Sequence, residues 1–209
     1  MRIQNPVKGA KLSKYPNGSI YQFFGENKEL YLKAIGSNGH NGIDIVAPKG
    51  TPILATNGEV IEVKNTPEGY GKHVRILTDP DVNGKCLELV FGHLDSILVK
   101  VGEMVYNEQV IGGMGNTGFV ISGGTPYWGT APGNKGVHLH FGVRVCNTIK
   151  GKWRTTYSGG KEVYVENYEN GTFGYVNPFD CLDLPEATEQ MNKILQLWEK
   201  IYNAIKGRS

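Results

Sequence analysis

Nowhere in its 209 residues does the chain hold an apolar run of the roughly 18 residues that a membrane-spanning helix requires. A membrane partner is therefore not expected. The opening stretch MRIQNPVKGAKLSKYPNGSIYQFFGE also lacks an apolar core of signal-peptide length, so no export signal is read here. Cysteine is scarce. Cys86, Cys146 and Cys181 form no CxxC pair and are odd in number, which argues against a disulfide scaffold and a thiolate zinc site and leaves buried free thiols as the expectation. Charge is nearly balanced, with 22 basic against 20 acidic side chains for a net +2, too little to argue for nucleic acid as a partner. No HExxH sequence occurs, so a helix-borne zinc site with a glutamate base is excluded. No internal repeat or low-complexity tract appears.

Glycine, by contrast, is plentiful at 29 residues, which suits a β-rich domain with many turns. A hydrophobic fraction of 39% and a charged fraction of 20% describe an ordinary globular protein of one domain with elaborations.

Two short segments hold the chemistry, His138-Leu139-His140 and His40-Asn41-Gly42-Ile43-Asp44. On a strand, residues i and i+2 point to one face, so His138 and His140 share a face while Leu139, Phe141, Val143 and Val145 line the other. Ile43 and Ile45 flank Asp44 in a second short strand, with His40 in the glycine-rich turn before it. Together the two segments supply three metal ligands and a spare imidazole. Two imidazoles and one carboxylate leave a tetrahedral zinc ion one open position, the arrangement of a catalytic site rather than a structural one. Each histidine alone reads as an ordinary surface or core residue; both motifs in one chain, each beside a strand, point to a zinc hydrolase.

The surrounding residues resemble the M23 peptidases of the lysostaphin and LytM kind. The resemblance runs through GHNGIDI at 39–45, APKGTPILA at 47–55 leading to GEV at 58–60, GYGKHV at 69–74, GHL at 92–94, VGEMV at 101–105, IG at 111–112, GNTG at 115–118 and HLHF at 138–141. It implies an all-β fold, a small antiparallel β-sheet domain with zinc in a groove, and endopeptidase activity on bacterial peptidoglycan. Carried over residue by residue, the zinc ligands are His40, Asp44 and His140, and the catalytic histidines are His93 and His138. A zinc-activated water needs a base and a group to steady the developing oxyanion, and imidazoles do both. His73 alternates with Arg75 opposite Val74 and Ile76 and is expected to face outward or to lie at a groove rim.

Two features depart from the family pattern. Residues 119–137, FVISGGTPYWGTAPGNKGV, form a long insertion before the histidine strand, read as a groove wall ahead of a lid or a tolerated surface insertion, and its Tyr127 and Trp128, with Asn41, are the expected contacts with an extended substrate. Gly142 stands where many relatives place an acidic residue.

The expected organisation is a β-type lead-in over 1–35, the peptidase domain over 36–182 with an added hairpin region at 150–175, and an amphipathic helix over 183–209. In that last segment Ala187, Met191, Ile194, Trp198, Ile201 and Ile205 recur at intervals of four and three. Docking onto its own domain is the favoured role of the 187–205 stripe; pairing with a second copy or an assembly partner is the other. Action at the bacterial cell wall without a signal segment suggests delivery with a phage particle or by lysis, and QFFGEN at 22–27 resembles the lead-in of phage-encoded members. The alternatives to a wall endopeptidase are a non-catalytic regulator of wall hydrolases and a structural component of a phage particle.

Overall fold

The longest strand shows how the fold is built, because its two faces carry different chemistry. Along residues Leu139–Asn147, Leu139, Phe141 and Val143 are fully buried in the main core, while His140, Gly142, Arg144 and Cys146 face the other way. The structure, a computed structural model, describes residues 1–183; the expected helix over 183–209, from residue 184 on, and its 187–205 stripe lie outside the described residues.

In chain order the elements are β1 (Ile20–Gln22), α1 (Lys28–Ile35), β2 (Ile43–Ile45), β3 (Pro52–Leu54), β4 (Gly58–Asn65), β5 (Lys72–Thr78), β6 (Lys85–Gly92), β7 (Leu94–Ile97), β8 (Met104–Val105), β9 (Val110–Met114), β10 (Val120–Ser122), β11 (Thr125–Tyr127), β12 (Leu139–Asn147), β13 (Trp153–Thr156), β14 (Glu162–Val165) and β15 (Tyr175–Val176). Among the described residues the fold is all-β and antiparallel apart from α1 and a short 3-10 turn. The large sheet runs β1-β2-β12-β6-β5-β4-β8, with β14 and β15 also paired to β12. A three-stranded sheet, β3-β9-β7, closes over its core face, so that Ile53, Leu94, Ile111 and Met114 pack in one cluster with Phe91 and Phe141. The rings of Phe91 and Phe141 lie 5.3 Å apart between centroids.

A second, smaller cluster covers part of the opposite face. Hairpin β13–β14 brings Tyr157, Val163 and Val165 onto Ile61, Leu77, Cys86 and Cys146. All three cysteines are free and buried. Burial pushes the Cys86 thiol up to about 12, so it stays protonated.

Residues 1–35 are less β-like than their sequence suggests, because KELYLKAI forms helix α1. Helix formers fill the segment, and Gly36 (φ 73°) closes it by donating its N–H to the carbonyls of Tyr31 and Leu32. The 119–137 insertion contains the two-stranded hairpin β10–β11, turned by Gly123 and Gly124, both at positive φ as a tight two-residue turn of this hand demands.

Candidate metal centre and catalytic groups

Three neighbouring strands line the site residues up in one row. Asp44 of β2 pairs with His140 of β12, and His140 in turn pairs with Gly92 of β6, so His93 emerges at the end of the same row. Strand neighbours stand about 4.8 Å apart, which brings together segments remote in sequence. His40 enters from the turn after α1, where its Nδ1–H donates to the Phe23 carbonyl at 3.2 Å and Tyr31 covers its ring at 5.3 Å. That hydrogen bond fixes the tautomer and leaves Nε2 free as a donor atom to a metal.

Three donor atoms converge. His40 Nε2 lies 3.0 Å from His140 Nδ1 and 3.1 Å from Asp44 Oδ1, and His140 Nδ1 lies 3.2 Å from Asp44 Oδ1. Donors about 2.0–2.2 Å from a tetrahedral zinc ion stand roughly 3.3–3.6 Å from one another, so the triangle is near ligand spacing. All three residues are buried, and Asp44 pairs with imidazoles alone among the described residues. Lone pairs facing each other at this distance repel unless a proton or a cation sits between them. Burial pushes the His140 imidazole down to about 4, which favours the neutral form a metal needs. Burial works to raise the Asp44 carboxyl, but His40 and His138 outweigh it and hold it well below its ordinary range, ionised at neutral pH. His40, Asp44 and His140 therefore fit zinc by donor type and spacing.

Glycine makes room for the cluster. A Cβ on Gly42 would stand 2.6 Å from the Phe141 carbonyl and 2.7 Å from His140 Cε1. Gly42 thus lets the two motifs close on each other, and Gly142 has a similar function, because a Cβ there would come within 2.8 Å of the Tyr175 ring.

His93 and His138 face each other beside the triangle with ring centroids 4.5 Å apart. His93 is buried and sits at φ 62°, a left-handed backbone that a histidine adopts at some cost. Its Nδ1–H donates to the Thr117 carbonyl at 2.8 Å, and burial, with the His138 and His140 charges, holds its pKa well below the usual imidazole value. His138 is partly exposed; its Nδ1–H donates to the Gly136 carbonyl at 2.8 Å, and its Nε2 is 3.7 Å from Asp44 Oδ1. Both rings thereby present Nε2 as the free nitrogen.

The three expected substrate contacts fall in different places. Asn41 is buried with its amide donating to the Tyr70 hydroxyl at 2.8 Å. Tyr127 lies under Lys135, whose Nζ donates to its hydroxyl at 3.2 Å, while Trp128 is 61% exposed and leans on Phe119. His73 corrects its sequence reading. It is buried, donating through Nδ1 to the Gly71 carbonyl at 2.9 Å and placing Nε2 3.3 Å from Glu62, because its face of the sheet is covered rather than open.

Tyr70 was not singled out by its sequence, yet its ring stacks on His140 with centroids 4.9 Å apart and an interplanar angle of 28°. The signal was its place between Gly69 and Gly71, both at positive φ, in a turn held against residues 117 and 118.

Comparison with known proteins agrees with this geometry. Residues 38–153 match the model of peptidase family M23, a span that contains all five of these site residues. The lipoprotein YgeR of Escherichia coli is 40% identical over 91 residues, covering 43% of this chain and 34% of that one. The glycyl-glycine endopeptidase ALE-1 of Staphylococcus capitis is 31% identical over 120 residues, 57% of this chain and 28% of the relative. The peptidoglycan DD-endopeptidase ShyC of Vibrio cholerae is 36% identical over 102 residues, 49% of this chain and 19% of the relative. The matches thus span about a third or less of these relatives' own length. Because the family match takes in more than half of the 209 residues and every residue of the metal and histidine clusters, the chain belongs to peptidase family M23.

Proposed function

We propose that the chain is a zinc-dependent endopeptidase that hydrolyses peptide bonds in bacterial peptidoglycan, in the stem or the cross-bridge, with one zinc ion per chain held by His40, Asp44 and His140. The carrying observation is the buried triangle of donor atoms at 3.0, 3.1 and 3.2 Å, in which Asp44, among the described residues, has imidazoles as its charge partners. Bound there, zinc supplies a Lewis acid that brings the pKa of a coordinated water to near 7.

The chain's own residues do the rest. His93 and His138 keep Nδ1–H on backbone carbonyls, so Nε2 of one accepts the water proton and Nε2 of the other, once protonated, donates to the developing oxyanion. Burial favours neutral His93 at physiological pH, the state a base requires. Asp44 balances charge within the cluster, and Tyr70 holds the His140 ring by stacking.

Peptidoglycan as substrate is supported by the relatives, whose names specify a glycyl-glycine bond in one and a DD-endopeptidase activity in another. They support the substrate class and leave the bond open. Trp128, with Tyr127 beside it, supplies the wall against which an extended peptide stacks. Action at the bacterial cell wall follows from that substrate; among the described residues no helix is long and apolar enough to cross a membrane.

Digestion of defined muropeptides followed by mass spectrometry tests the proposal. The zinc-loaded protein is expected to release new amine termini in a chelator-sensitive way, and His138→Ala to release none. Absence of any new terminus from every wall type with zinc present would overturn it.

A further inference from the structure

Between the two catalytic histidines lies a turn whose side chains the chemistry above does not use. Asn116 is fully buried, and the two N–H groups of its amide are shared among three backbone carbonyls, Ala131 at 3.0 Å, Gly133 at 3.1 Å and Lys135 at 2.9 Å. Its amide oxygen has no partner. Those carbonyls belong to the returning limb of the 119–137 insertion, which has no strand of its own and meets the turn otherwise through an isolated bridge between Thr117 and Thr130, with Gly118 N–H donating to the Gly129 carbonyl at 2.6 Å and Ala131 N–H to the Asn116 carbonyl at 3.3 Å. That limb ends at Gly136, whose carbonyl accepts from His138 Nδ1, while the His138 backbone N–H donates to the Gly115 carbonyl at 3.1 Å. The next residue, Thr117, accepts from His93 Nδ1 through its carbonyl and ties itself down by donating its hydroxyl to the Leu94 carbonyl at 2.8 Å and accepting from the Lys72 N–H at 2.9 Å.

We infer that Asn116 is a positioning residue for His138, and that the Asn116-Thr117 turn sets the ring orientation and tautomer of both catalytic histidines. Thr117 acts on His93 directly, and Asn116 acts on His138 through the limb it clamps. The insertion therefore does two separable jobs. Its exposed hairpin carries Tyr127 and Trp128, and its return limb mounts the imidazole. Losing the clamp loosens a proton-transfer group without touching the zinc ligands, and displacement of a catalytic group by about 1 Å lowers turnover by about a hundredfold.

The inference rests on the reading of His138 as catalytic, and its physical half is measured without any substrate. Nitrogen-detected NMR of the zinc-loaded full chain reports which ring nitrogen carries the proton. The expected result is Nδ1–H for both His93 and His138; His138 found as the Nε2–H tautomer in the wild type overturns the assignment whatever the variants do. Asn116→Asp replaces the donor by an oxygen of the same size facing three carbonyls. It is expected to keep one zinc per chain, to give a mixed His138 tautomer with His93 unchanged, and to lower kcat by about a hundredfold with KM within about twofold. Wild-type His138 signals and wild-type kcat in that variant would show that Asn116 does not position the ring.

Discussion

Strand β12 carries two buried polar clusters on the same face of the sheet, and they solve the problem of burial in opposite ways. Around Arg144, the Glu88 carboxylate receives Arg144 at 2.8 Å together with Arg75 and the Tyr157 hydroxyl, and Arg75 also reaches Glu62 at 3.0 Å. Anion meets cation throughout, and Arg144 and Arg75 hold the Glu88 carboxyl below its usual range although burial works to raise it. Around His140, only acceptor atoms and imidazoles meet, with no Arg or Lys paired to Asp44 among the described residues. The two clusters touch through Tyr175, whose hydroxyl accepts from Arg75 at 3.0 Å and from Tyr70 at 3.4 Å. A buried charge cluster that carries its own counterions is structural; one that lacks them is built for a cation from outside.

The sharpest break of this comparison is at the ligands. Asp44→Ala is expected to abolish muropeptide cleavage, a loss of at least about a thousandfold in kcat/KM, while leaving the urea midpoint of the zinc-free protein at or above the wild-type value, because it relieves the facing lone pairs. Equal loss of stability and activity would make the cluster merely structural. At the other end Glu88→Ala leaves Arg144 without a carboxylate partner, Arg75 keeping Glu62, and is expected to cost about 3–5 kcal/mol by urea unfolding, with zinc affinity retained in the folded fraction. Trp128→Ala touches neither cluster. It should raise KM up to about tenfold with kcat unchanged, measured on a muropeptide, since an exposed aromatic contact contributes about 0.5–1.5 kcal/mol.

The smallest effect concerns pH. Burial works to raise the Glu62 carboxyl, but hydrogen bonds from His73 and Lys64 and the Arg75 charge hold it at about 2, against 4.5 ordinarily. A lowered folded value means that the contribution to stability is complete above pH 4.5 and is lost as pH falls toward 2. Thermal melts across that window should show a slope that Glu62→Gln flattens; an unchanged slope would place the acid sensitivity elsewhere.

Strand periodicity and turn spacing point to a metal site among His40, Asp44, His138 and His140, while the choice of His40, Asp44 and His140 as the ligands comes from the resemblance to the family. His93 came only through its resemblance to the family, since GHL alone says nothing of a left-handed backbone at its centre. The Arg144 cluster was not legible. Its face of β12 and β5 was expected to be open, and it is covered by Tyr157 from an added hairpin and Tyr175 from β15, which also explains the misreading of His73. Asn116 was equally hidden, because a side chain that bonds to loop carbonyls follows no period. Helix α1 departs from the β-type lead-in expected over 1–35, although its composition and the closing Gly36 carry the helix signal.

Zinc binding by the purified chain tests the central claim most directly. Titration calorimetry with metal analysis is expected to show one zinc per chain for the wild type and no tight site in His140→Ala, with His138→Ala still binding. Full-strength binding by His140→Ala would contradict the assignment of the triangle as the metal centre.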